Sequence, residues 1–188
     1  NFDTMPGFQQ PLYPVYHWIP MHGITRYEVE LMTARPAAEN NTEPSDNRVW
    51  NMIANDSFSC YDEYARPYAG EYYWRVRAID DNGNTIGVYS DTEEFKVAYH
   101  ATRALAGAFG DSITHGGGAV SYSPASLEYS YTTYLDFPTV NLGRSGDTSH
   151  TTMLRFDSDV LPYQPLNLFI LTGSNSLRDS GTTAEEII

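Results

Sequence analysis

The sequence predicts a chain in two parts: an antiparallel β-sandwich over residues 1–99, then a parallel α/β sheet over residues 103–188. Three observations predict it. The first half alternates apolar and polar residues at period two, as half-buried strands do. Asp81-Asn82-Gly83-Asn84 is a strong turn signal beside one of these runs. In the second half, short continuous apolar runs alternate with segments of helical spacing, the pattern of a parallel sheet covered on both faces.

The elements follow in order. In Arg26 to Leu31, residues Tyr27, Val29 and Leu31 point one way and the charged residues the other. Gly70 to Ala78 repeats this, with Tyr72, Trp74, Val76 and Ala78 on the expected core face, and Thr85 to Val97 supplies a further strand region. Short strands at this spacing predict a sandwich. Trp18 and Trp74 are expected in its core rather than as sugar-stacking platforms. After a boundary near Tyr99 to Arg103, Ala104 to Gly110 is an apolar run of small residues. Leu127, Tyr131, Tyr134 and Leu135 recur at helical spacing, and Asp147-Thr148-Ser149 caps a helix carrying Met153 and Leu154. Val140 to Leu142 and Leu166 to Leu171 are two more buried strands, and Thr182 with Glu185 forms a capping box that opens another helix.

Composition narrows the function classes. Of 188 residues, 41% are hydrophobic, enough for packed cores and too many for wholesale disorder. No apolar run approaches the roughly 18 residues needed to span a bilayer. A net charge of −13 excludes nucleic-acid binding through bulk charge and suits neutral or cationic material. The single cysteine, Cys60, excludes an internal disulfide framework. Fifteen Tyr and 14 Gly beside 11 Lys and Arg fit a secreted bacterial glycan-acting protein. The chain opens on Asn1, so removal of an upstream segment is expected.

The chemistry centres on Gly110-Asp111-Ser112-Ile113-Thr114, placed just after an apolar strand. A serine there sits at the carboxyl end of the sheet, where α/β sites lie, although a serine in a turn is also an ordinary cap. The run is not a Gly-x-Ser-x-Gly elbow, because Thr114 occupies the last glycine position. Gly116-Gly117-Gly118 lacks the Lys-Ser/Thr of a phosphate loop, so no nucleotide cofactor is expected. No His, Cys or Asp grouping has metal-ligand spacing. His115, three residues from Ser112, is a candidate for the substrate cleft. His150 is expected at the surface, and His17, His22 and His100 as solvated or packed.

Two resemblances extend this reading. Tyr13 to Leu31 with Tyr72 to Asn84 resembles a fibronectin type III-like domain, Trp18 standing where that family puts its core tryptophan. The stretches GDSITHGGG (Gly110 to Gly118), NLGRSGDT (Asn141 to Thr148) and TGSNSLR (Thr172 to Arg178) resemble, in family order, the first three signature blocks of the GDSL/SGNH hydrolases. The resemblance implies a truncated three-layer α/β hydrolase domain behind the sandwich. It makes Ser112 the nucleophile, Gly143 the glycine whose N–H donates to the oxyanion, and Asn175 the side-chain donor. The Ser112 N–H completes the hole, and Asp111 holds the turn. Each such donor contributes roughly 3–4 kcal/mol.

Two departures qualify the match. Ser176 stands where the third block carries an aspartate, and no Asp-x-x-His follows Asn175. The chain is therefore expected to be the front portion of its domain, inactive alone and partnered by the remaining C-terminal part. The implied activity is a serine esterase, first of all a carbohydrate esterase removing acyl groups from polysaccharide, with no cofactor. A lysophospholipase or short-chain lipid esterase is one alternative. A non-catalytic glycan- or protein-binding module with a degenerate hydrolase half is the other.

Overall fold

The computed structural model describes residues 11–55, 58–66, 70–97, 103–116, 129–178 and 181–187. The chain forms two compact units, neither of them one continuous stretch. One comprises Tyr16–Cys60 and Tyr68–Val97; the other comprises Asn1–Val15, Tyr61–Pro67 and Ala98–Ile188.

The first unit is built on strands β2 (Arg26–Met32), β3 (Arg48–Asn55), β5 (Gly70–Ile79), β6 (Thr85–Ile86) and β7 (Glu93–Val97), with β1 (Val15–His17) and β4 (Ser59–Tyr61) as a separate two-stranded ribbon. The large sheet runs β3-β2-β5-β6, with β7 also on β5. Antiparallel register sets Val29 opposite Val76 and Leu31 opposite Trp74 and Trp50. Side chains alternate along each strand, so these apolar residues share one face. They pack with Tyr16, Tyr27, Cys60 and Phe95, the Tyr16 ring lying 5.2 Å from Trp74 and 5.7 Å from Trp50.

The opposite face holds charge, yet it is also covered. Glu30 and Arg75 are both 0% exposed and pair at 2.7 Å. Arg75 also donates to the Glu43 carbonyl at 2.9 Å and to Asn41 Oδ1 at 3.0 Å, and Arg77 donates to the Thr42 carbonyl at 2.6 Å. The Tyr89 ring lies 4.0 Å beneath the Arg75 guanidinium. The segment between β2 and β3 is thereby drawn onto this face. Period-two alternation reads such a strand as half-solvated, because buried and exposed charges look alike in sequence.

The second unit contains β8 (Ala106–Gly110), α1 (Ser112–His115), β9 (Thr139–Gly143), α2 (Ser149–Leu154), α3 (Phe156–Asp159) and β10 (Asn167–Leu171). The sheet is parallel in the order β10-β8-β9, and Leu171, Gly110 and Gly143 lie side by side at its carboxyl edge. Both glycines are there for close approach. A Cβ on Gly110 would sit 2.0 Å from the Leu171 carbonyl oxygen, and one on Gly143 would sit 2.3 Å from the His115 nitrogen.

Segments distant in sequence complete this unit. Leu12 N–H donates to Asn141 O at 2.9 Å, Arg66 N–H to Leu12 O at 2.8 Å, and Asp62 N–H to Pro14 O at 2.8 Å. Leu12 and Tyr13 share a core with Phe109, Val140, Leu142, Val160 and Tyr163.

The predicted fold class is corrected on both counts. A fibronectin type III-like sandwich needs two facing sheets. Here one curled sheet is faced by a ribbon of two three-residue strands on its apolar side and by a loop on its charged side. A three-layer α/β hydrolase domain needs helices long enough to cover both sheet faces. The α-helices among the described residues span four to six residues. On β10, Phe169, Ile170 and Leu171 are 43%, 59% and 42% exposed. The helical spacing of Tyr131 and Tyr134 produces a single 3-10 turn over Tyr131–Tyr134, while Leu127 lies outside the described residues. The capping box at Thr182 opens only a 3-10 turn over Ala184–Glu186. No helix among the described residues is long and apolar enough to cross a membrane.

Candidate active site

Three loops leave the carboxyl edge of the parallel sheet, and each carries one block of the sequence pattern. The first starts at Asp111, which caps α1: its Oδ1 accepts Ile113 N–H at 3.0 Å. Its Oδ2 accepts the Ser174 hydroxyl at 2.6 Å, so one buried carboxylate ties the loop after β8 to the loop after β10. Ser112 follows as the first residue of α1, partly exposed. Its N–H is one of the helix-start donors that have no intrahelical partner, and its hydroxyl bonds none of the described residues.

The second loop is a turn over Arg144 to Asp147, closed by Asp147 N–H on Arg144 O at 3.3 Å. Gly146 has φ +90°, which makes this a type II turn and explains its glycine. The structure changes the assignment of Gly143. Its N–H donates to Asn141 Oδ1 at 3.0 Å inside the core, so it does not face a substrate oxygen. The exposed Gly146, three residues on, presents an N–H that bonds no described residue. Its signal was in the sequence, since a second glycine stands in the same block, but only the backbone direction separates the two.

The third loop places Asn175, whose side-chain amide donates one N–H to Asp147 O at 2.8 Å and keeps the other. Ser176 accepts Ser149 N–H at 2.8 Å through its hydroxyl, satisfying a donor in the first turn of α2. The serine thus makes a loop-holding contact at the position where the resembled family carries a carboxylate. Ser112, Gly146 and Asn175 accordingly lie on three loops tied to one another at a single sheet edge.

Beneath them lies Arg155, almost fully buried. It pairs with Asp147 through Nε and with Asp159 at 2.9 Å, and donates to the carbonyls of Leu142 and Gly110, both at 2.7 Å. Tyr13 OH also donates to Asp159, at 2.8 Å. One guanidinium therefore gathers the ends of β8 and β9 and the last residue of the Arg144–Asp147 turn.

His115 is corrected from cleft to core. It is 0% exposed, its Nε2 lies 2.7 Å from Tyr13 O, and its Nδ1 lies 3.1 Å from Ser145 N. A carbonyl only accepts and an amide only donates, so these bonds require the neutral tautomer with the proton on Nε2. Burial, aided by the Arg155 and Arg144 charges, pushes its pKa down to about 4. The unfolded chain therefore binds the proton more readily than the fold. Stability is fully present above the ordinary histidine value near 6.5. It is expected to fall as pH drops toward 4, by up to about 1.4 kcal/mol per pH unit from this group. Urea unfolding in the wild type and His115→Gln measures it: the variant, lacking the titrating ring, is expected to lose this part of the slope.

Among the described residues no group of three His, Cys, Asp or Glu is placed to hold a metal ion. His150 is exposed on α2. No family model matches the chain, and no curated protein matches it. A crystal structure of a polysaccharide deacetylase from Bacillus cereus is similar at 8% identity and a TM-score of 0.26, over 91% of this chain and 57% of that one. The chain thus spans less than two thirds of that structure's length, and a likeness of this strength carries no argument about fold or activity.

Proposed function

We propose that the protein is a serine ester hydrolase of GDSL/SGNH type, with Ser112 as nucleophile, acting on acylated polysaccharide. The observation that carries this is the convergence of three pattern-bearing loops on one sheet edge, held by the Asp111–Ser174 and Asn175–Asp147 hydrogen bonds. In the proposed reaction the Ser112 oxygen attacks the acyl carbonyl carbon and gives its proton to a general base. The resulting oxyanion is held by the N–H groups of Ser112 and Gly146 and by the Asn175 amide. Its collapse breaks the ester bond, and the alcohol leaves with the proton. Water then attacks the acyl-serine, releasing the acid and restoring Ser112. His115 is not that base, because it is committed to Tyr13 and Ser145. The resemblance assigns the base to the remaining C-terminal part of the domain, so turnover is measured with that part present.

The substrate class rests on charge and composition. A chain of net charge −13 repels anionic head groups and phosphate backbones more than neutral glycan. Acetate release from an acetylated polysaccharide, compared with release of long-chain acid from a lipid ester, tests this choice. Preference for the lipid would replace it with the lipid-esterase reading. Asn175→Ala is expected to lower kcat on p-nitrophenyl acetate by about 10²- to 10³-fold with little change in KM, since the donor acts on charge present only in the transition state. An unchanged kcat would remove Asn175 from the oxyanion site.

A further inference from the structure

We infer that Tyr61 is a positioning residue for the oxyanion site: its hydroxyl fixes the direction of the Ser145–Gly146 peptide, and so aims the Gly146 N–H. Tyr61 OH donates to Ser145 O at 3.0 Å, across 84 residues of sequence. The peptide bond is trans and planar, so a carbonyl and the following N–H point in opposite directions. Holding the Ser145 carbonyl toward Tyr61 therefore turns the Gly146 N–H away from it, to the side where Gly146 is exposed.

The turn itself does not make this choice. Types I and II differ by a flip of the central peptide, which here is Ser145–Gly146. Glycine at the third position accepts both. The partly buried Tyr61 hydroxyl selects one orientation, and the buried His115 ring holds the peptide before it. His115 Nδ1 takes the Ser145 N–H and Tyr61 takes the Ser145 carbonyl. The Tyr61 ring stands edge-on to His115 at 5.2 Å and 87°, which fixes the hydroxyl in turn. Burial raises the Tyr61 hydroxyl above the ordinary tyrosine value, so it remains a donor at neutral pH. The inference rests on the reading that the Gly146 N–H binds the oxyanion. It adds a residue more than 40 positions before the first sequence block.

Tyr61→Phe keeps the ring and removes only the hydroxyl. It is expected to lower kcat about 10- to 100-fold with KM nearly unchanged and with a thermal unfolding midpoint close to wild type, so that a smaller folded fraction does not account for the loss. NMR provides a readout independent of activity. In Tyr61→Phe the Gly146 amide and Ser145 carbonyl resonances are expected to shift or broaden as the peptide begins to flip. Unchanged resonances would overturn the inference whatever the activity. Absence of Ser112-dependent hydrolysis in the wild type would overturn the esterase reading instead, and the NMR result would still decide whether Tyr61 holds the peptide. Gly146→Ala serves as a second variant. No atom lies within 4 Å of the added Cβ, but φ +90° strains it toward the flipped turn. It is expected to reproduce the kcat loss, and Tyr61→Phe is expected to add little to it. Fully multiplicative losses in the double variant would show independent roles and overturn the inference.

Discussion

In the chain together with the remaining C-terminal part of its domain, Ser112→Ala is expected to reduce p-nitrophenyl acetate turnover by at least about 10³-fold, the scale of losing a serine nucleophile while binding and oxyanion donors stay in place. The substitution removes one partly exposed oxygen that bonds no described residue, so the fold has little to lose. The start of α1 is held by Asp111 and not by Ser112. Thermal unfolding should therefore be close to wild type, which separates a chemical defect from a structural one. Equal turnover by wild type and variant would sink the esterase proposal and leave the binding-module reading. Labelling by a fluorophosphonate sharpens the comparison: the adduct is expected on Ser112, and an adduct on Ser145, 3.0 Å from His115 Nδ1, would transfer the nucleophile's role to that loop.

Arg155→Met is expected to cost about 3–5 kcal/mol of unfolding free energy, read as a lowered urea midpoint at unchanged slope. The size follows from what is left behind. Asp147 and Asp159 are buried, and both lose the cation that compensates them. The carbonyls of Gly110 and Leu142 lose a charged donor as well. An exposed pair such as Arg35–Glu94 offers the contrast, since water replaces either partner and such pairs contribute at most about 1 kcal/mol. Arg155→Lys is expected to recover only part of the loss, because one ammonium does not reach four acceptors arranged around a planar fork. A Met variant within 1 kcal/mol of wild type would mean that the two carboxylates find solvent or protons, and that Arg155 does not organise the edge.

The strands of the parallel sheet were legible because each is a short apolar run: Ala104 to Gly110 contains β8, Val140 to Leu142 lies within β9, and Leu166 to Leu171 contains β10. The turn at Ser112 was legible for the same reason, since Asp111 and Ser112 are the first polar residues after such a run. What failed to show was direction and distance. Nothing in residue type tells that Asn141 folds back onto the Gly143 N–H while the Gly146 N–H points out. His115 looks like a cleft residue one turn from Ser112 until Tyr13, 102 residues earlier, supplies a carbonyl to its Nε2. Glu28 and Glu30 alternate with apolar residues as solvent-facing charges do, yet Arg75, Arg77 and Tyr89 bury them. Helix length was misread where capping signals were present but few residues followed in the helix. Thr148 and Thr151 do form a capping box, on a helix of six residues.

The long-range contributions of Tyr13 and Tyr61 also set the order in which the chain matures. A ribosome delivers Leu12 and Tyr13 first, and their acceptors and donors on Asn141 and His115 more than 100 residues later. Closing so long a loop gains nothing until β8 and β9 exist to receive it. During synthesis the segment of Leu12 and Tyr13 therefore waits, with its apolar side chains unpaired, for β8 and β9. The Ser145–Gly146 turn acquires its fixed geometry only at that docking, so in the proposed reaction the Gly146 donor is set later in folding than the Gly-Asp-Ser turn.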